Sequence, residues 1–218
     1  MTRAAKPGKS KILPETLPLF PLTGALLLPG GQLPLNIFEP RYLAMVDAAL
    51  AGNRLIGMIQ PMDDESAQRP RLYGAGCAGR ITSFAETGDG RYIVNLTGTQ
   101  RFALAEELAS DTPYRLVRPD WSAFDIDAGE DPTIDDVDRE DLLDALRDYL
   151  EIENLQIEWE KAADASPQSL IVSLAMGCPF QPNEKQALLE AKTLAEQAQC
   201  LITLMELAGG DENDAPLQ

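Results

Sequence analysis

Apolar residues in the first half of the chain come in short clusters broken every few positions by Pro or Gly, and beyond about residue 133 the spacing turns helical. Short clusters separated by turn residues suit strands better than long helices. The sharpest hairpin has residues 79–86 as one arm, Thr87-Gly88-Asp89-Gly90 as its turn and residues 91–96 as the other arm. Its glycines supply the positive φ that tight loops need. Gly98 then interrupts before Arg101-Phe102-Ala103-Leu104 resumes the extended pattern, which predicts a bulge or bend at that point. One helix lies inside this β region: Pro40 suits its first turn, Tyr42, Met45, Val46, Ala49 and Leu50 share a face, and Gly52 is placed to end it.

In the second half, Thr133 is a candidate N-cap for a helix whose buried stripe is Val137, Leu142, Leu146, Tyr149 and Leu150. Further helical regions are expected around 152–165 and 168–176. A last helix is expected to be capped by Asn183, with Gln186 reaching back and Leu188, Ala191, Leu194, Ala198, Leu201 and Met205 forming one continuous face. Between the halves, Asp120 to Asp141 is an acidic stretch with Arg139 as its only base. The resulting expectation is an α+β chain in five parts: a disordered basic tail over 1–11, a β-rich part over 12–121, an acidic linker over 122–132, a helical part over 133–208 and an acidic tail over 209–218.

Charge sharpens this picture. Of 18 basic residues, Arg3, Lys6, Lys9 and Lys11 precede the first acid, so the net −17 becomes −21 once the tail is set aside. A body this acidic repels phosphate backbones and anionic bilayers, which excludes nucleic acid and membrane as partners. The sequence contains no His, which removes Ser-His-Asp and Cys-His catalysis and the usual zinc sites. Cys77, Cys178 and Cys200 lack Cys-x-x-Cys pairing and read as buried reduced thiols. Asp125-Ile126-Asp127 begins like a calcium loop, but Gly129 falls before the position where such a loop needs glycine. No metal and no cofactor is expected. Pro18, Pro21, Pro29 and Pro34 break any helical leader and no apolar run reaches spanning length, so a cytoplasmic protein is expected.

The most distinctive string is Leu17-Pro18-Leu19-Phe20-Pro21-Leu22, then Leu26-Leu27-Leu28-Pro29-Gly30-Gly31, then Leu33-Pro34-Leu35-Asn36-Ile37-Phe38-Glu39-Pro40-Arg41-Tyr42. It reads as a strand, a Pro-Gly-Gly turn, a second strand and a helix start, with Phe20 and Phe38 as expected core residues and Glu39 with Arg41 as a structural ion pair or cap. In this order the string resembles the opening of the substrate-binding domain of Lon-type proteases. The resemblance continues through residues 76–81, 91–94, Gly98, Arg101-Phe102 and 184–190, and so covers about residues 14–208. It implies a PUA-like small β barrel with an inserted helix, followed by a C-terminal helical bundle. The motif residues Pro18, Phe20, Pro21, Pro29, Gly30, Phe38, Glu39, Pro40, Arg41 and Tyr42 then take structural roles. The sequence contains no G-x-x-x-x-G-K-[ST] phosphate loop, and the chain is expected to stop short of a Ser-Lys protease domain.

What the resemblance implies is a non-catalytic polypeptide-binding module, an adaptor or holdase-like binder of exposed apolar segments, working alone or with a protease or chaperone. The binding cleft is expected between barrel and helices. From the residues themselves, the expected peptide-binding surface is Leu26, Leu27 and Leu28, which a Pro-Gly-Gly turn would project outward, together with the adaptable Met58 and Met62. Two alternatives stay open: a structural module that homodimerises through the same surface, and an enzyme using paired carboxylates.

Overall fold

The computed structural model describes residues 13–62, 69–129 and 131–210. The tail expected over 1–11, and all of the acidic tail beyond residue 210, lie outside them. Six strands, β1 (Leu17–Pro21), β2 (Gln32–Ile37), β3 (Leu55–Pro61), β4 (Leu72–Glu86), β5 (Tyr92–Leu108) and β6 (Arg115–Asp120), make a mixed sheet in the order β2-β5-β4-β3-β1-β6. Because β6 also pairs with β5, strands β5, β4, β3, β1 and β6 form a closed circuit of pairings, with β2 attached to β5 alone. The β1–β3 pair is parallel and the others are antiparallel.

The hairpin between β4 and β5 turns where the sequence predicts, with Thr87 N–H donating to the Arg91 carbonyl, Gly90 N–H to the Thr87 carbonyl, and Gly90 at φ +78°. The bulge expected at Gly98 is present as a register shift: Ala78 faces Gln100 while Gly79 faces Gly98, so Thr99 is the extra residue. Such an insertion bends the strand and increases local twist, which lets these long strands curl toward a closed circuit. Helix α1 (Pro40–Ala51) starts on Pro40 and buries Tyr42, Met45, Val46 and Ala49, as its spacing predicts.

The C-terminal elements differ from expectation in three places, the first being the cap expected of Asn183 with Gln186: that helix starts after Gln181, whose N–H donates to Glu184, and Asn183 lies inside it. The first helix, α2 (Arg139–Ile152), is capped by Asp138, whose carboxylate accepts from the N–H groups of Glu140 and Asp141. Thr133 instead sits in a short 3-10 turn, and its hydroxyl accepts from Ala195 N–H at the start of another helix. After α3 (Trp159–Asp164) and α4 (Pro167–Gly177), the expected long last helix is two: α5 (Pro182–Glu190) and α6 (Leu194–Gly210). The break is set by side-chain caps. Asp131 accepts from Leu194 N–H, Thr193 Oγ1 accepts from Glu196 N–H, and Glu196 accepts from Lys192 N–H, so the start of α6 has its own complete set of caps. The apolar face runs unbroken across the break, which is why periodicity alone reads it as one helix.

Two apolar clusters hold these elements. The smaller one (Leu17, Leu19, Leu55, Ile59, Ala78, Phe102, Val117) comes from the five strands of the closed circuit. The larger joins Phe20, Met58 and Leu96 of the strands and Leu27 of the β1–β2 loop with α1, α2, α4, α5 and α6. Between sheet and helices lies Arg101, whose side chain is 4% exposed and ion-paired with Asp127 at 2.7 Å. Asp127 belongs to a 3-10 segment (Ser122–Ala128) inside the expected acidic linker. The same guanidinium donates to the carbonyls of Leu189, Ala191 and Lys192, where α5 ends, and stacks over Phe124 at 4.6 Å. One buried cation thus satisfies one buried carboxylate and three helix-end carbonyls. A second link runs through Gln60, which accepts from Gly24 N–H and donates to the Pro182 carbonyl, while Lys185 donates to the Gly24 carbonyl.

Candidate functional site

Leu26, Leu27, Leu28 and Met58, expected as an exposed surface, are core: they are 4%, 2%, 0% and 2% exposed. The turn folds inward rather than outward because Gly30 N–H donates to the Gly98 carbonyl and Gly98 N–H to the Gly31 carbonyl. That clamp lays the loop flat on the sheet. Glycines make the approach feasible: a Cβ on Gly98 would fall 2.7 Å from the Leu28 carbonyl carbon, and one on Gly79 would fall 2.8 Å from Leu27 Cδ2. Burying a Leu side chain contributes about 1.5–3 kcal/mol, so the turn gains from facing inward. Of the five residues only Met62 is exposed, at 51%, at the end of β3.

Phe38 departs in the opposite direction. Expected in the core, it is 61% exposed. Along β2 the exposure alternates, with Ile37 buried and Gln32, Pro34 and Asn36 outward, so Phe38 falls on the outward phase just before α1 begins. It sits 5.9 Å beneath the Arg91 guanidinium, and the same region exposes Phe84 and Ile93, with Phe84 against Tyr92 edge to face at 4.9 Å. An aromatic held in water is the unusual observation here, more so than a buried Leu.

Phe38 borders a cleft of about 730 Å³ formed by the end of β1, the β2–α1 junction and the β5–β6 connection. The motif string itself makes one wall. Phe20 packs on Tyr42 with ring centroids 4.3 Å apart, Arg41 covers the same Tyr42 ring at 4.5 Å, and Arg41 Nε donates to Glu39 at 2.8 Å. Glu39 and Arg41 are therefore an exposed structural pair, as the sequence suggests. Pro21, Pro34, Pro61, Pro70 and Pro113 also line the cleft; they add apolar surface that is rigid at φ and carries no N–H to satisfy. The far wall, Leu108 to Arg115 with Arg69, was not foreseen. Its one legible signal is Glu107 facing two arginines, visible only once β5 and β6 are paired.

Glu107 fixes that wall. Arg115 donates to both of its oxygens at 2.9 and 2.6 Å, and Arg69 Nε donates at 3.1 Å. Burial pushes the Glu107 carboxyl up, but the hydrogen bonds from Arg115 and Arg69 outweigh it and hold the group below its ordinary value. A depressed carboxylate stabilises the fold above its unfolded pKa, and that contribution is lost as pH falls through the folded value. Glu107→Gln is expected to lower the thermal midpoint at pH 7, with the gap from wild type narrowing as pH falls below about 4.5. Melting curves of the two proteins at pH 7 and pH 4 check this, and a gap that widens toward pH 4 would contradict it.

A second hollow of about 710 Å³ does lie between sheet and helices, lined by Leu28, Arg101, Asp127 and Val172 among others. Several of its polar groups are already used: Arg101 and Asp127 hold each other, Asp131 accepts from Leu194 N–H, and Gln197 donates to the Leu188 carbonyl. Burial also pushes all three thiols up, Cys178 to about 11, so they are poor nucleophiles near neutral pH. Among the described residues no cluster of His, Cys, Asp and Glu is arranged to hold a metal ion, and no helix is long and apolar enough to cross a membrane.

Curated relatives include Lon protease 2 of Myxococcus xanthus, 26% identical over 94% of this chain and 25% of its own length. Another is the Lon protease of Parabacteroides distasonis, 30% identical over 88% of this chain and 24% of its own length. The chain thus spans about a quarter of the length of these relatives. Among solved structures, the Lon N-terminal domain protein from Xanthomonas campestris superposes with TM-score 0.63 at 23% identity, covering 86% of this chain and 97% of that one. The N-terminal domain of Mycobacterium avium complex Lon protease gives TM-score 0.66 at 17% identity, covering 88% and 98%. These two likenesses bear on the fold, which is that of the Lon N-terminal domain. A family model, "ATP-dependent protease La (LON) substrate-binding domain", matches residues 16–206, and on that match the chain belongs to the family of Lon substrate-binding domains.

Proposed function

We propose that this chain recognises exposed apolar segments of polypeptides in the cleft between the β2–α1 junction and the β5–β6 connection, with Phe38 as the aromatic anchor. The observation that carries the reading is Phe38 itself, held in water at the mouth of a proline-rich cleft whose walls combine apolar side chains with mutually paired charges. Such a side chain gains free energy by accepting an apolar partner, and aromatic anchors commonly dominate peptide affinity. The closed circuit of strands is read as a small barrel of PUA-like type, with the helical part packed on it as a second unit. Binding is the whole mechanism: the charged groups of the cleft, Glu39 with Arg41 and Glu107 with Arg115 and Arg69, are mutually paired. An adaptor or holdase-like role follows, with a protease or chaperone as the downstream partner.

Phe38→Ala is expected to weaken binding of a reduced, unfolded model polypeptide by about 5- to 30-fold, while the folding free energy moves by less than about 1 kcal/mol. Titration of labelled polypeptide and a denaturant curve on the same variant provide both readouts. Unchanged binding removes the cleft assignment. Loss of a wild-type dimer on the same substitution, seen by sedimentation, would replace the proposal with the dimerisation reading.

A further inference from the structure

A separate groove runs between α2 and α6, enclosing about 600 Å³ and sharing no lining residue with the cleft around Phe38. On α2 it is lined at helical spacing by Asp141, Ala145, Asp148 and Ile152, and on α6 by Ile202 and Glu206, with Met205 beneath. The α2 side covers eleven residue steps, or about 16 Å of helix length, which matches about three turns of a third helix laid alongside. The floor is thus apolar and the rim acidic.

The acids on that rim are poorly served by their own chain. Asp141, Asp148 and Glu206 form no ion pair among the described residues. Asp141 at least sits in the first turn of α2, where the helix dipole favours a carboxylate. Asp148 and Glu206 lie toward the C-terminal ends of α2 and α6, where it does not, and neither helix has a basic residue in its last turn. Carboxylates there are a net cost to the isolated protein, and a cation placed over them relieves it. At one end of the groove the apolar floor opens onto Ile152, which is 38% exposed, with Leu155 and Trp159 also exposed in the segment that follows α2. Arg147 beside the groove is already committed, paired with Asp144 at 2.7 Å and lying 5.4 Å over the Trp159 ring.

We infer that the groove between α2 and α6 is a docking site for a basic amphipathic helix of a partner protein, its apolar stripe on Ile152 and Ile202 and its Lys or Arg residues over Asp148 and Glu206. Charge selects this occupant. A second copy of this chain, at net −17, would bring acid to acid, whereas a cationic helix satisfies the rim and covers the floor together.

The test uses the full chain and a fluorescent probe peptide of about 14 residues built from Lys and Leu at helical amphipathic spacing. A scrambled peptide of the same composition controls for charge alone. Expected are tighter binding of the amphipathic peptide than the scrambled one, at least tenfold weakening by Asp148→Lys with Glu206→Lys, and less than about twofold weakening by the equal reversal Glu15→Lys with Asp125→Lys at exposed sites outside both the groove and the cleft around Phe38. Equal binding of both peptides, or equal loss from both reversals, overturns the inference, because the acidic body alone would then account for the attraction. A wild-type dimer dispersed by Ile202→Glu would also overturn it, in favour of a second copy as the occupant.

Discussion

Replacing Arg101 by Met is expected to destabilise the protein by about 3–5 kcal/mol, the usual effect of removing one member of a buried ion pair. The substitution keeps most of the side-chain volume, so the loss measures charge and hydrogen bonding rather than a cavity. What remains is an Asp127 carboxylate only 6% exposed, still bonded to Arg101 N–H but without its counter-charge. The carbonyls of Leu189, Ala191 and Lys192 also lose their side-chain donor at the end of α5. Adding Asp127→Leu to the variant is expected to recover part of the loss, because the orphan charge is then gone. Denaturant midpoints of the two single variants and the double variant close the cycle. A loss below about 1 kcal/mol for Arg101→Met would show that water replaces the guanidinium.

Gly98→Ala is expected to cost about 3 kcal/mol or more, although it adds one methyl group. The new Cβ would press on the Leu28 carbonyl, whose backbone cannot rotate away as a side-chain tip could. Moving the loop also strains the two backbone hydrogen bonds between Gly98 and Gly30–Gly31 and lifts Leu27 and Leu28 from the core. Gly74→Ala is the matched comparison, since a Cβ there meets nothing within 4 Å. Its effect is expected to stay within about 1 kcal/mol. Equal thermal shifts for the two variants would show that the loop is free to lift.

The two glycine positions also explain why the expected surface was misplaced. Leu26-Leu27-Leu28 beside Pro-Gly-Gly reads in sequence as an exposed turn, but what decides its direction is the missing side chains at Gly79 and Gly98, more than fifty residues away. No local pattern carries that information. Phe38 is a different case, because its exposure was legible: the alternation Leu33, Leu35, Ile37 inward places residue 38 outward. The general tendency of aromatic residues to be buried obscured it. The β4–β5 hairpin, α1, the hairpin turn and the bulge after Gly98 were readable because each depends on neighbours in the chain. The division of α5 from α6 was not, since one of its determinants, Asp131, arrives from more than sixty residues upstream.

The reach of Arg101 bears on how the chain is made. Its carbonyl partners lie 88 to 91 residues later, so in a polypeptide growing from its N-terminus the strands can pair well before those carbonyls exist. Until α5 has been synthesised and docks, a guanidinium destined for the interior still requires water. A chain that has not yet made α5 is therefore expected to leave Leu27 and Leu28 without part of their helical neighbours. Maturation to the closed fold is thus expected to wait on residues near the C-terminus, and a product truncated before α5 is expected to leave Arg101 with Asp127 as its partner but without its three carbonyls, beside a bare apolar face open to aggregation.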